Sequence, residues 1–304
     1  MQPTPPPRFA APNLPTLRQL EYLVAVAELR HFTRAAAACF VTQPTLSSGI
    51  AELEALLGVP LIERDRAGVW PTPLGLEVAE RARQILTATS DLCDRARAEA
   101  DPLHTTLRLG AIPTLAPFVF PHVLHTLAAG PLRVTVREDT SAQLLQRLRD
   151  GRVDVAILAL PYDTGELTVQ TVGVDELVLA VAGDAVLRRD GRLDPAGLVL
   201  LEEGHCLREH TLVACGAGAR AGDLEAASLL TLVQMVAAGL GSALLPALAL
   251  GTGLVEAAGL QIQHLRPAPT RTIAVVTRPS YTRPAVTAAV VTALHGLLQG
   301  PKRV

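Results

Sequence analysis

The sequence predicts an α/β protein in which a small helical module precedes one long helix and a larger region of alternating strands and helices. Three observations carry this. Residues 31–66 read as two short helices around a tight turn, followed by a hairpin-like arm. From Leu74 the apolar positions Val78, Ala82, Ile85, Thr89, Leu92 and Ala96 alternate spacings of four and three, an a/d seam of about three heptads that wants a partner helix. Beyond Thr106, continuous apolar strands separated by amphipathic helices argue for parallel sheets covered on both faces. At 304 residues, 49% apolar but only 3% aromatic, the chain has room for two or three domains with cores of Leu, Val, Ala and Ile.

The opening residues 1–13 are Pro-rich and carry one charge, Arg8, so a flexible extension is expected. In the helical module, Thr33 is expected to cap the first helix, which carries the small-residue run Ala35 to Ala38. Thr42 caps the second, with Pro44 in its first turn, where a missing N–H costs nothing. Gln43, Thr45, Ser47 and Ser48 crowd the start of that helix, the end that a helix-turn-helix pushes into the DNA major groove. An ordinary helical hairpin with a polar start is the competing reading.

Charge does not advertise nucleic acid. The net charge is −2, and residues 14–73 hold five Arg against six acids. Phosphate contacts depend on local clusters, which Thr33, Arg34, Arg64 and Arg66 could supply. Gly49 and Ala51 stand where a basic or amide side chain would strengthen binding, so DNA binding weaker and more salt-sensitive than the motif alone suggests is expected. No apolar run reaches the roughly 18 residues of a membrane span and no signal peptide is evident, so a cytoplasmic chain is expected.

In the α/β region, strands are expected at Thr106–Ile112, Leu132–Glu138, Val153–Leu160, Glu176–Gly183, Val199–Glu203, Ser242–Leu245 and Thr272–Thr277. Helices are expected around Phe118–Ala129, Ser141–Asp150, Leu224–Ala238 and Arg283–Leu298. Ligands in such folds sit at strand ends, where Ile112-Pro113-Thr114 would lie.

Of the four cysteines, Cys39 and Cys93 read as buried filler. Cys206 follows a strand and a Gly at the start of a helix, with His205, Arg208 and His210 beside it, a setting that favours thiolate. Cys215 lies nine residues on. If the segment is helical, the two Cα atoms stand roughly 13 Å apart at ~1.5 Å rise per residue. A disulfide needs about 4.4–6.8 Å, so bonding requires the helix to unravel, and Gly216 and Gly218 would permit it. Two buried thiols, or a metal site with His205 and His210, are alternatives; the latter lacks a Cys-x-x-Cys or His-x-x-x-His pair, and no metal or cofactor is expected.

The run Thr42-Gln43-Pro44-Thr45-Leu46-Ser47, with Ile50, Leu53-Glu54, Leu57-Gly58, Leu61-Ile62 and Arg64, resembles the N-terminal signature of the LysR-type transcriptional regulators. The resemblance implies a winged helix-turn-helix over 14–73, a dimerising linker helix over 74–101 and an effector domain over 104–304. The effector domain would be periplasmic-binding-protein-like, with two Rossmann-like subdomains: subdomain I from 104–173 and 277–304, subdomain II from 174–276. The segment Glu203-Gly204-His205-Cys206-Leu207-Arg208 with its second Cys resembles the OxyR group of peroxide sensors in that family. Ile112-Pro113-Thr114, Met235 to Gly239, Leu244 to Leu248 and Arg271-Thr272-Ile273 extend the match.

That likeness implies Cys206 as the peroxidatic cysteine and Cys215 as the resolving one. Thr114, Ser141, His205, Arg208, Glu209 and Arg271 would form the peroxide pocket. Glu209 replaces the group's usual Asp and Ser141 a pocket Thr, and small residues flank Cys215. The implied partners are double-stranded DNA, hydrogen peroxide, RNA polymerase and further copies of the chain, as a homodimer or homotetramer. A LysR-type regulator of a small organic anion, with incidental cysteines, is the second expectation. A thiol peroxidase is the weakest, since it leaves the helix-turn-helix unexplained.

Overall fold

The computed structural model describes residues 14–65, 68–100, 106–128, 130, 132–183, 197–215 and 224–299. The N-terminal extension, Arg66, Asp101-Pro102, Gly216 and Gly218 lie outside the described residues. The chain divides into two compact units, Met1–Cys93 and Asp94–Val304.

The first unit opens with α1 (Leu17–Leu29), started by a capping box. Gln19 N donates to Thr16 Oγ1 at 3.2 Å, and Thr16 N donates to Gln19 Oε1 at 3.0 Å. Helix α2 (Phe32–Ala38) begins two residues earlier than the sequence suggests, and Phe32 is buried in the core. Its cap is therefore His31, whose Nδ1 accepts from Arg34 N at 3.4 Å, and not Thr33. The Thr33 hydroxyl instead donates to Gln43 Oε1 at 2.8 Å and ties α2 to α3 (Gln43–Leu57).

Helix α3 starts on Thr42 with Pro44 in its first turn and stops at Gly58, whose φ of 71° suits a residue without Cβ. Ala35 and Ala36 are buried where the helices cross. Gly49 is buried there too: a Cβ on it would stand 2.7 Å from Tyr22 Cδ2. Position 49 therefore belongs to helix packing and is no vacated DNA contact, which corrects the sequence reading. The arm is an antiparallel hairpin of β1 (Ile62–Asp65) and β2 (Gly68–Pro71). It is moored by the Glu54 carboxylate, which accepts from Leu61 N at 2.8 Å and Ile62 N at 3.0 Å.

The long helix is α4 (Pro73–Ala100). Ala82 of its seam is buried, but Ile85 is 49% and Leu92 67% exposed. Cys93 is exposed as well, contrary to its reading as buried filler, whereas Cys39 is buried as expected.

The second unit contains β3 (Thr106–Ala111), α5 (Ala116–Leu127), β4 (Arg133–Glu138), α6 (Ser141–Arg149) and β5 (Val155–Leu160). Next come the long β6 (Thr168–Val181), β7 (Leu200–Leu201), α7 (Cys206–Cys215), β8 (Glu225–Ala226), α8 (Leu229–Ala237) and β9 (Ala243–Pro246). The chain continues through a 3-10 turn (Ala247–Ala249), α9 (Leu254–Ala257), β10 (Gln261–Gln263), β11 (Thr270–Thr277) and α10 (Pro284–Gln299). The helix expected from Leu224 starts only at Leu229, because Glu225 and Ala226 pair with β7 and Ser228 caps the helix.

The main sheet runs β10-β6-β11-β5-β3-β4, with β9 also on β6. It is mixed rather than parallel. Strand β3 is parallel to β4 and β5, but β11 is antiparallel to both neighbours, and β9 and β10 are antiparallel to β6. Apolar continuity reports burial on both faces, and antiparallel strands buried on both faces give the same pattern.

Two apolar cores flank the crossing strands. One gathers β3, β5, α5, α6 and α10 around Leu109, Leu144, Ile157, Val275 and Leu294. The other gathers β7, α8 and β9 around Leu200, Val233 and Leu245. The long strand β6 changes partners along its length: its first part pairs with β11, and its end pairs with β9 and β10. Helix α7 straddles both cores, Cys206 packing in the first and Leu207 in the second. Cys206 therefore lies where the two cores meet.

Candidate functional site

Two chain segments bring short polar side chains to Cys206. Thr114 sits in the turn between β3 and α5 and is buried. Ser141 is the first residue of α6 and is fully buried. Cys206 opens α7 and is 4% exposed. The hydroxyls of Thr114 and Ser141 face its sulfur and favour the thiolate, as does the Arg271 guanidinium. Burial outweighs them and raises the thiol above its ordinary value, so the resting sulfur is protonated.

Arg271, on β11, is 1% exposed. Its Nη1 donates to Thr114 Oγ1 at 2.8 Å and its Nη2 to Thr114 O at 3.1 Å. Because the Thr114 oxygen already accepts from Arg271, its own hydrogen is available to the sulfur. Asp175, on β6, completes the pair: Arg271 Nε donates to its Oδ2 at 3.0 Å. Sequence reasoning missed this carboxylate.

The neighbouring bases behave differently from the sequence reading. Arg208 turns away, its Nη1 donating to Leu201 O at 2.8 Å and to Glu225 Oε1 at 2.7 Å. It serves the β7–β8 edge and is absent from the groups that act on Cys206. His210 is buried, and its Nε2 lies 3.0 Å from Leu160 O, so that nitrogen carries the hydrogen. Burial pushes its pKa down and leaves it neutral, so it supplies no cation. His205 is half-buried, with Nδ1 buried and unbonded to protein. Glu209 is exposed, and its charge opposes ionisation of Cys206. Tyr162, after β5, joins this neighbourhood; Glu209 and Cys206 both help raise its phenol pKa, after burial.

Cys215 ends the same helix. It is half-buried against the second core, burial raises its thiol, and both cysteines are free. A continuous α-helix joins them, so the ~1.5 Å rise per residue keeps their Cα atoms roughly 13 Å apart. Among the described residues, no group of His, Cys, Asp and Glu side chains could hold a metal ion. No helix among them is long and apolar enough to cross a membrane.

The other candidate surface lies in the first unit. Thr33, Arg34, Thr42, Gln43, Pro44, Thr45 and Ser48 are exposed around the start of α3. Ser47 is half-buried because Arg64 Nη2 donates to its Oγ at 2.9 Å. The same guanidinium lies 3.7 Å from the Phe32 ring centroid. Arg64 thus fastens the arm to α2 and α3 at the face that would meet DNA.

Residues 17–76 match the bacterial regulatory helix-turn-helix protein, lysR family, and residues 100–299 match the LysR substrate binding domain. The chain is similar to the HTH-type transcriptional regulator EstR of Acinetobacter baylyi, 44% identical over 278 residues, 88% of this chain and 92% of that one. It is 39% identical over 273 residues to a hydrogen peroxide-inducible genes activator of Dickeya chrysanthemi, covering 86% and 89% of the two chains. Its fold resembles that of a full-length OxyR variant from Pseudomonas aeruginosa, with a TM-score of 0.75, 31% identity and coverage of 92% and 94%. The chain belongs to the LysR family of helix-turn-helix transcriptional regulators, and it is a regulator rather than an enzyme.

Proposed function

We propose that this regulator senses hydrogen peroxide through Cys206 and answers by a local refolding of α7. The observation that carries the proposal is one helix with a free cysteine at each end, one of them beside Thr114, Ser141 and Arg271. Relatives that are peroxide-inducible activators support it. The Cys206 sulfur, as thiolate, attacks one peroxide oxygen and breaks the O–O bond; the departing hydroxide takes the thiol's proton and leaves as water. The Cys206 sulfenic acid then meets the Cys215 thiol, the S–S bond forms and a second water leaves. Peroxide is reduced by two electrons, and the two thiols supply them.

The disulfide and the intact α7 exclude each other on length, which converts a chemical event into a structural one. A helix-turn-helix over 14–73, a linker over 74–101 and an effector domain over 104–304 transmit it. The effector domain divides into 104–173 with 277–304, and 174–276. Copies paired through α4 then change their spacing on double-stranded DNA and their contact with RNA polymerase, in the cytoplasm. The exposed Ile85 and Leu92 suit such pairing, and tetramers of these dimers give the change its reach. The reduced form binds DNA as a repressor or autoregulator.

Treating the reduced, full-length protein with one equivalent of peroxide and counting thiols tests the proposal. Loss of two thiols per chain, mapped to Cys206 and Cys215, is expected. Unchanged thiols would favour the second reading, a small organic anion held by the buried Arg271. The 44% identity to EstR, whose name does not mention peroxide, is the observation behind that alternative.

A further inference from the structure

Arg271 and Asp175 face each other across the β6–β11 register, and both are almost wholly buried. Arg271 Nε and Nη2 lie 3.0 and 2.9 Å from the same oxygen, Asp175 Oδ2. The other oxygen, Oδ1, accepts from Leu248 N at 3.2 Å, so both carboxylate oxygens are held. Arg271 is thereby aimed across the seam at Thr114. A buried cation attracts whatever anion can form near it, and here there are two, a carboxylate in contact and a sulfur beyond Thr114.

We propose that Asp175 is a positioning residue of the sensor site: it aims Arg271 at Thr114 and, as its standing counter-ion, competes with the Cys206 thiolate for the guanidinium's charge. With Asp175 in contact, the sulfur meets a paired dipole, whose field falls off faster than that of a lone charge. Asp175 thus sets how readily Cys206 ionises and so how much peroxide the sensor tolerates before it responds. The other groups acting at Cys206 are Thr114 from the β3–α5 turn, Ser141 from α6, Glu209 and the neutral His210 from its own helix, and Tyr162 after β5. None of these is a second cation. The Arg271–Asp175 pair is therefore the adjustable element of the site.

This inference rests on the role proposed for Cys206, but its test reads the sulfur without peroxide. The thiolate absorbance of full-length, reduced protein is followed against pH, and the curve of the matching Cys206→Ser protein is subtracted. In Asp175→Asn the Cys206 midpoint is expected to fall by about one pH unit or more, because the freed guanidinium takes the thiolate as its partner. An unchanged or raised midpoint overturns the proposal. Should Asp175→Asn fail to fold, Asp175→Asn with Arg271→Gln removes both charges and leaves no lone buried ion. Its midpoint is expected above that of the parent. A midpoint equal to the parent's would mean that the pair does not act on Cys206. A failure of peroxide sensing itself would appear separately, as unchanged thiols after peroxide with the midpoints still displaced.

Discussion

The two ends of α7 carry the same side chain in opposite surroundings. At the Cys206 end, Thr114 and Ser141 hydroxyls and a buried guanidinium from three other segments meet the sulfur. At the Cys215 end, burial against apolar neighbours is what acts on the sulfur among the described residues. On the proposed reading, that difference suits one cysteine to attack by an oxidant and the other to wait as a trap. Reactivity here is a property of what converges on a helix start, and the chain pays for that convergence with a fully buried ion pair.

The largest test of the contrast is to remove each sulfur in turn. Cys206→Ser is expected to abolish thiol loss on peroxide treatment. Cys215→Ser is expected to lose one thiol per chain, trapped as a sulfenic acid by dimedone and seen by mass spectrometry. Equal behaviour of the two variants would erase the distinction between the ends.

Arg271→Gln attacks the Cys206 end, and it takes from the buried Asp175 carboxylate the guanidinium that pairs with it. A loss of about 3–5 kcal/mol is expected in urea unfolding of the effector unit. Thr114→Val keeps shape but withdraws the hydroxyl from the sulfur. Peroxide-driven loss of thiols should slow by about 100-fold, the usual effect of losing one preorganised donor, while reaction of Cys215 with a thiol reagent is unchanged.

A smaller effect comes from His210, midway along the helix. Burial holds it neutral, below its ordinary value of 6.5. The unfolded chain takes up the proton first as pH falls below 6.5, so stability is complete above that pH. It declines below it, until the folded-state group titrates too. His210→Gln can still donate to Leu160 O and should flatten that part of the stability–pH curve. A parent curve already flat between neutral pH and pH 5 would contradict the buried, neutral assignment.

What the sequence disclosed and what it hid divide along the range of the interactions. Thr42, Pro44 and Gly58 mark the ends of α3 because cap chemistry is local. Cys206 at a helix start was equally legible, as were Thr114 and Arg271 through family likeness. Strand direction was not, since an apolar run reads the same when its neighbour is antiparallel. The first part of β6, Thr168–Asp175, also escaped notice, because its alternation is weak and its pairing partner β11 is far along the chain. Asp175 looks like an ordinary acid in a strand, and the partner that gives it meaning is 96 residues away. Arg208 shows the converse: the family likeness grouped it with the pocket, while Leu201 and Glu225 claim its guanidinium.

Hydrogen exchange of the backbone amides of α7 in the full-length protein, before and after one equivalent of peroxide, reaches the central claim most directly. The reduced protein should protect the amides toward the Cys215 end of Cys206–Cys215, as an intact helix does. After oxidation, that protection should collapse together with the appearance of a Cys206–Cys215 cross-linked peptide. Formation of that cross-link with α7 still protected would contradict the account.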